Sequence, residues 1–409
     1  MMEHSPFRME WYDWIAWTAI VVQLFFVYYA VRNYRFALAK YDRKTEPAYR
    51  PRAALIVPCK GLDARFDSNI RSLLEQDYGN YRLCFVLGDK TDPAYERLQR
   101  LAAHQPASNC TPEILIAGPS TLCSQKIHNL LYAIERLPAD VEILAFADSD
   151  VCARRDWLGL LVWSLRRPKC GVATGYRWFV PTRNNLATLA LSAVNASVAQ
   201  LLGNSAFNHA WGGSMAVRME DFKRLGLPQT WKTTLSDDLS LSQAVKKDGM
   251  AVTFVPGCLG ASYESTTWPK LYEFCRRQFL ITRVYAPSTW WLGLGSSLGS
   301  VLGLWVTAAL AYHAVVIDAP HLPLYVSVPI AFFVGHVIRA ILRQAMIVQL
   351  LREHAPRLKW AIVADVLGFW LWSIVLLGFI LSSAFGRTIR WRGILYRLVS
   401  PTHTEVISQ

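Results

Sequence analysis

Apolar residues fall along this chain in two rhythms. Four stretches run without Asp, Glu, Lys or Arg for lengths on the scale of a membrane: Trp14–Val31 (18 residues), Val284–Ile317 (34), Ala319–Ile338 (20) and Val366–Gly386 (21). A spanning helix needs about 20 apolar residues, so each is a candidate span, and the longest has room for an interfacial turn as well. Between the first and second of them the rhythm changes. Ala53–Pro58, Tyr81–Leu87, Glu113–Ala117 and Glu142–Ala147 are short, nearly continuous apolar runs of the kind buried on both faces of a sheet. Asp67–Gln76, Asp92–His104 and Ser124–Arg136 read as helices between them. This β-α-β-α order with short connections predicts an α/β domain on a mostly parallel, Rossmann-like sheet. Such sheets bind ligands at the carboxyl ends of their strands. Leu186–Phe207 is apolar and uncharged but rich in Ala and Ser and broken by Asn, which predicts an interfacial or core helix rather than a span.

Composition agrees with the spans. The chain is 53% hydrophobic and 18% charged, against about 25% charged in soluble proteins. Its mean hydropathy is +0.19. Disordered chains, collagens and ordinary cytosolic enzymes are excluded. The net charge of +13 admits two uses, nucleic-acid binding or the basic bias of a cytoplasmic membrane face. The basic residues flank apolar stretches, so no nucleic-acid partner is expected. Residues 1–13 hold Arg8 against Glu3, Glu10 and Asp13, whereas residues 32–52 hold Arg32, Arg35, Lys40, Arg43, Lys44, Arg50 and Arg52 against Asp42 and Glu46. That asymmetry puts the N-terminus outside and the following domain in the cytoplasm. The first stretch lacks a basic leader and a clear small-residue cleavage site, and reads as an uncleaved anchor. The expected organisation is an anchor and basic linker (1–52), a cytoplasmic α/β domain (53–283), membrane helices (284–386) and a basic tail (387–409). Three full spans after the domain would leave Arg387, Arg390, Arg392 and Arg397 outside, so either one segment is re-entrant or the tail breaks the rule. The eight cysteines are scattered without a CxxC pair, as reduced cytosolic thiols are.

Candidate chemistry gathers at predicted strand ends. Asp89 and Asp92 follow the second strand, and Asp148 and Asp150 follow the fourth. An Asp-x-Asp at a strand end suits a hard divalent cation whose other oxygens come from phosphate and water. Asp237 and Asp238 open a helix, where Ser236 or Asp237 serves as the cap or a carboxylate serves as general base. Gly212-Gly213 permits close backbone approach, and Lys126 suits a phosphate or an ordinary helix surface.

The ordered set VPCKGLD (57–63), LEQDYGNYRLCFVLGDKTDPA (74–94), QKIHNL (125–130), FADSD (146–150), GGSMAVR (212–218), SDDLSLS (236–242) and TIRWRGILYRL (388–398) resembles glycosyltransferase family 2. Within that family it resembles ceramide glucosyltransferases and their bacterial relatives, including hopanoid-pathway lipid glycosyltransferases. The resemblance implies a GT-A fold with transmembrane helices. It also implies an inverting transfer from a UDP-sugar, with glucose the expected sugar, to the hydroxyl of a membrane lipid such as ceramide. By it, Asp89 and Asp92 meet the nucleoside, and Asp148 and Asp150 meet the diphosphate through Mg²⁺ or Mn²⁺. Lys126 and Gly213 border the donor, and Asp238, next to Asp237, is the base. A hopanoid, diacylglycerol or polysaccharide acceptor is the alternative, and a non-catalytic nucleotide-sugar-binding membrane protein is a further one.

One departure stands out. The family's (Q/R)xxRW motif, aligned from Arg277, meets Leu280 and Ile281 where Arg and Trp are expected. Arg276, Arg277 or Arg283 then has to substitute at the diphosphate, unless the acceptor chemistry has diverged or activity is weak. Arg276 and Arg277 also suit the basic flank of a span.

Overall fold

The computed structural model describes residues 11–41, 49–79, 81–103, 110 and 112–408. Glu3, Arg8, Glu10, Asp42, Arg43, Lys44, Glu46 and His104 lie outside the described residues. A long first helix, α1 (Trp11–Tyr41), leads into the α/β unit. Its elements are β1 (Ala53–Pro58), α2 (Phe66–Leu74), β2 (Tyr81–Leu87), α3 (Pro93–Ala103), β3 (Pro112–Ile116), α4 (Gln125–Ile134) and β4 (Ile143–Ala147). They continue through α5 (Trp157–Leu165), β5 (Cys170–Pro181), α6 (Leu186–Ala199), β6 (Ser214–Arg218), α7 (Met219–Arg224), α8 (Leu227–Trp231), α9 (Asp237–Lys247) and β7 (Ala251–Glu264). The four strands and three helices expected from the pattern are all present.

The seven strands form one sheet in the order β3-β2-β1-β4-β6-β5-β7. β1 pairs in parallel with β2 and β4, while β6 runs antiparallel between β4 and β5. Along β1 the side chains alternate between two cores: Leu55 and Val57 pack with Ile70, Leu73 and Trp157, and Ile56 packs with Ile127, Phe146 and Trp231. Burial on both faces is why these strands read as unbroken apolar runs. The order of connection reverses between β1 and β4, which opens a crevice at their carboxyl ends.

After the sheet come α10 (Trp268–Tyr285), α11 (Pro287–Val316), α12 (Leu322–Leu350), α13 (Ala355–Leu367) and α14 (Phe369–Ser382). Three helices, Asp13–Tyr41, Pro287–Val316 and Leu322–Leu350, are long and apolar enough to cross a membrane. Their outward faces carry Leu24, Phe25, Trp305, Leu310, Ile330 and Phe333. The fourth expected span, Val366–Gly386, holds as helix only the 14 residues of α14 and the end of the helix before it, and those two helices are bent by 86°. The bend falls at Gly368, where a Cβ would lie 2.6 Å from both the Ala364 carbonyl oxygen and the Trp372 indole nitrogen. Trp372 closes the corner by donating to the Ala364 carbonyl at 2.7 Å.

The bent pair and the tail both stay against the α/β unit. The ends of α1 and α12 pack together against the sheet domain, Ala37 and Leu350 with Trp178 and Val180. Thus α11 leaves that domain and α12 returns to it. Leu191 and Val194 of α6 pack with Trp372 and Phe379, so the bent pair stays beside the domain. The tail is a three-stranded antiparallel sheet of β8 (Thr388–Trp391), β9 (Ile394–Ser400) and β10 (His403–Ser408). It docks on the α/β unit: the Thr404 N–H donates to the Thr233 carbonyl at 2.8 Å, and the Gln125 N–H donates to the Tyr396 hydroxyl at 3.2 Å. The tail is therefore packed on the sheet domain.

Candidate active site

The crevice at the ends of β1 and β4 is polar because two helices begin there. Ser124 caps α4 by accepting from the Ile127 N–H at 3.2 Å, which places Lys126 in the first turn. Ser236, not Asp237, caps α9 by accepting from the Leu239 N–H at 3.2 Å. With the cap supplied by serine, Asp237 and Asp238 occupy the first turn, where the helix dipole favours negative charge.

Lys126 joins the two acidic motifs. Its ammonium stands 2.9 Å from Asp148 Oδ1 and 3.2 Å from Asp237 Oδ2. Burial works against the Lys126 charge, but Asp148, Asp237 and Asp238 outweigh it and raise its pKa. Burial also opposes the charge on Asp148, and Lys126 overcomes it and lowers that pKa. Asp237 is pushed up to about 6 by burial against the pull of Lys126. Asp238 is more open. Its Oδ2 accepts from the Gly212 N–H at 3.0 Å, and its Oδ1 accepts from the Ser236 hydroxyl at 2.5 Å and the Leu239 N–H at 2.8 Å. The glycine pair fits these approaches closely. A Cβ on Gly212 would lie 2.3 Å from Asp237 Oδ2, and one on Gly213 would lie 2.3 Å from the Trp211 ring and 2.7 Å from Asp148 Oδ2.

Asp150 is pushed up to about 6, by burial and then by Asp148. Its Oδ2 accepts from the Ser262 hydroxyl at 3.3 Å and lies 3.7 Å from the Arg177 guanidinium. Its Oδ1 is buried with no hydrogen-bond partner. Among the described residues no group of three or more His, Cys, Asp and Glu is placed to hold a metal ion. Two carboxylates with one orphaned oxygen fit a divalent cation that takes its remaining ligands from a diphosphate and water.

Other expected residues stand elsewhere. Asp89 is exposed and accepts from the Thr91 N–H at 2.8 Å. Asp92 is occupied by backbone, its Oδ1 accepting from both Gly61 and Ala94 at 2.9 Å. It ties the loop after β1 to the start of α3 and does not line the cavity described below. Arg276 donates to the carbonyls of Phe385 (2.9 Å) and Thr388 (3.3 Å), and Arg283 donates to those of Ala384 and Gly386. Both therefore fasten the tail to α10 and are spent there. Of the three candidates only Arg277 lines the cavity, with its guanidinium 5.7 Å from the ring centre of Trp391. Its pKa is pushed down to about 10 by burial and by Arg177, against the pull of Glu273.

Two arginines were missed in the sequence. Arg177 is a lone base within the apolar strand β5, a signal that was available. Arg392 sits in the β8–β9 turn at φ 49° and donates to Asp63 Oδ1 at 2.7 Å. Asp63 also accepts from the Ser149 hydroxyl at 2.9 Å. Trp391 and Arg392 thus reach from the tail to the crevice and stand beside Arg277, where the helix itself offers Leu280 and Ile281.

One cavity of about 1310 Å³ connects all of this. At one end it is lined by Lys126, Asp148, Asp150, Arg177, Asp237 and Asp238. It passes Trp211 and Phe274 and continues between the long helices along Phe25, Phe26, Tyr29, Phe369 and Trp372.

Comparison with known proteins gives a family. The profile of glycosyl transferase family 21 matches residues 15–403, and the chain belongs to that family. The motifs had pointed to family 2; the glycosyltransferase part of that expectation holds. No curated protein sequence matches. The chain is similar to the mannosyltransferase PcManGT from Pyrobaculum calidifontis in complex with GDP-Man and Mn²⁺, at TM-score 0.48 and 17% identity over 91% of this chain and 97% of that one. It is also similar to GalNAc-T7 with UDP, GalNAc and Mn²⁺, at TM-score 0.37 and 10% identity over 55% of this chain and 48% of that one. A third similar structure is the glucosyl-3-phosphoglycerate synthase from Mycobacterium tuberculosis in complex with phosphoglyceric acid, at TM-score 0.33 and 13% identity over 55% and 75%.

Proposed function

We propose that this member of glycosyl transferase family 21 moves a sugar, with glucose the first candidate, from a UDP-sugar to the hydroxyl of a membrane lipid such as ceramide. The observation that carries this reading is the single cavity. Its polar end holds the carboxylates and arginines that suit a nucleoside diphosphate, and its other end is rich in aromatic side chains and lies between helices long enough to span a bilayer.

In this reading Asp238 is the general base. Its two oxygens are fixed by Gly212, Ser236 and Leu239, so it meets an incoming hydroxyl without rearranging. It takes the proton as the hydroxyl oxygen bonds to the anomeric carbon, and the bond from that carbon to the diphosphate oxygen breaks on the opposite face, inverting the centre. Arg177, Arg277 and Arg392 receive the departing diphosphate with charge-assisted hydrogen bonds. Lys126 holds Asp148 and Asp237 in place as the charge moves. Asp148 and Asp150 are the residues to hold Mg²⁺ or Mn²⁺, which supplies further charge stabilisation on the leaving group. The basic stretch after α1 and the tail arginines support a cytoplasmic domain in this reading, with the bent pair re-entrant.

The test is incubation of the purified chain with radiolabelled UDP-sugars, a divalent cation and membrane lipids. A labelled lipid is the expected product, with Asp238→Asn slower by about 10³-fold and UDP binding retained. No labelled lipid with any sugar, together with an Asp238→Asn variant that behaves like wild type, sinks the reading. Accumulation of an unglycosylated hopanoid or diacylglycerol on gene deletion moves the acceptor to that class.

A further inference from the structure

The membrane-side arm of the cavity carries one charge that sugar transfer does not use. Arg339 lies on α12 and lines the arm with Phe26, Tyr29, Gln200, Phe369 and Trp372. Its Nε is buried with no hydrogen-bond partner, and its guanidinium lies 5.6 Å from the ring centre of Phe26. One turn further, Arg343 is in the opposite condition. It takes both oxygens of the buried Asp365, at 2.6 and 2.5 Å, and Gln344 donates to the same carboxylate at 2.6 Å. That acid is therefore fully engaged. Among the described residues no ion pair reaches Arg339.

The depth of Arg339 is fixed by its neighbours. Gln200, at the end of α6, donates to the Arg339 carbonyl at 2.8 Å, and Asn33 of α1 donates to the Gln200 carbonyl at 3.0 Å. This is the level at which the sheet domain meets the long helices, and with those helices read as spans it falls near the lipid headgroups. An arginine in a spanning helix is rare, and one that faces a cavity marks a functional site whose partner is to be named. The planar guanidinium fork matches two oxygens of a phosphate.

We propose that Arg339 binds the phosphate of an anionic phospholipid whose acyl chains lie along Phe26, Phe369 and Trp372, in the arm that the acceptor lipid otherwise fills. The inference rests on the reading of α1 and α12 as spans and is independent of which sugar moves. The full chain in detergent is offered equal amounts of phosphatidylglycerol and phosphatidylcholine of matched chain length, and retained lipid is counted by native mass spectrometry. Wild type retains phosphatidylglycerol in preference, by about 10-fold for a charge-assisted contact. Arg339→Lys keeps part of that preference and Arg339→Gln loses it. Inorganic phosphate does not displace the lipid, which separates a headgroup site from a free-anion site. Equal retention of the two lipids by wild type overturns the proposal, as does displacement by inorganic phosphate, or an undiminished preference in Arg339→Gln. The wild-type arms decide even where a variant fails to fold, and UDP binding on the same samples identifies folded protein. Lipid preference without sugar transfer counts against the transferase reading alone.

Discussion

Arg392 donates to Asp63 at 2.7 Å across 329 positions of sequence, and this one contact brings the tail hairpin to the first loop of the sheet. Burial weakens the charge on Arg392, and Asp63 more than restores it. Arg392→Ala removes a charged donor from the diphosphate end of the cavity. The expected result is a rise of about 10-fold in the donor KM, as for one charge-assisted hydrogen bond, with the acceptor KM unchanged. Arg276→Ala instead loosens the tail from α10, and shows first as a lower melting temperature. Steady-state kinetics in both substrates distinguishes the two.

Asp150 keeps a buried oxygen without a partner. Chelation of divalent cations is therefore expected to abolish turnover, and Mg²⁺ or Mn²⁺ to restore it. Asp150→Asn raises the cation concentration for half-maximal rate by at least about 10-fold. A titration of rate against free cation measures this directly.

His209 is pushed down to about 4 by burial and by Lys246, and its ring nitrogen lies 2.9 Å from the Thr289 hydroxyl. The folded chain holds the imidazole neutral, whereas the unfolded chain binds its proton near pH 6.5. The stability this contributes is full above about pH 6.5 and is lost as pH falls toward 4. The loss amounts to about 3 kcal/mol at most. Thermal melting from pH 7.5 to 4.5 should show it, and His209→Gln should flatten that part of the profile.

Asp365 is fully buried and held by Arg343 and Gln344. Asp365→Asn strands the Arg343 charge and is expected to destabilise by about 3–5 kcal/mol. Asp365→Leu with Arg343→Met removes both charges and is expected to recover most of that. Detergent-resistant melting temperatures of the single and double variants give the comparison.

Much of this was legible before any coordinates. The strands announced themselves because both faces of the sheet are buried, so Leu55, Ile56 and Val57 are all apolar. Asp148, Asp150 and Asp238 follow element boundaries that apolar runs mark clearly. Asp92 follows a strand, where chemistry is expected, but an aspartate just ahead of a helix is equally suited to capping, and here it accepts from the Gly61 and Ala94 N–H groups. Counting charges could not reveal the bend at Gly368, because a close Trp372 contact, not composition, makes it. Arg177 was readable as a lone base in an apolar strand. Arg392 was not, since no local pattern signals a contact that far along the chain.

The polar end of the cavity is built from the ends of the first and fourth strands and the hairpin of β8 and β9, with every long helix after the sheet lying between the fourth strand and the hairpin in sequence. During synthesis the sheet domain emerges well before α11, α12 and the bent pair, while Arg392 follows them all. The chain is thus made in an order that leaves this end of the cavity unfinished until the long helices have been synthesised, so a chain stalled before them lacks the contact from Arg392 to Asp63.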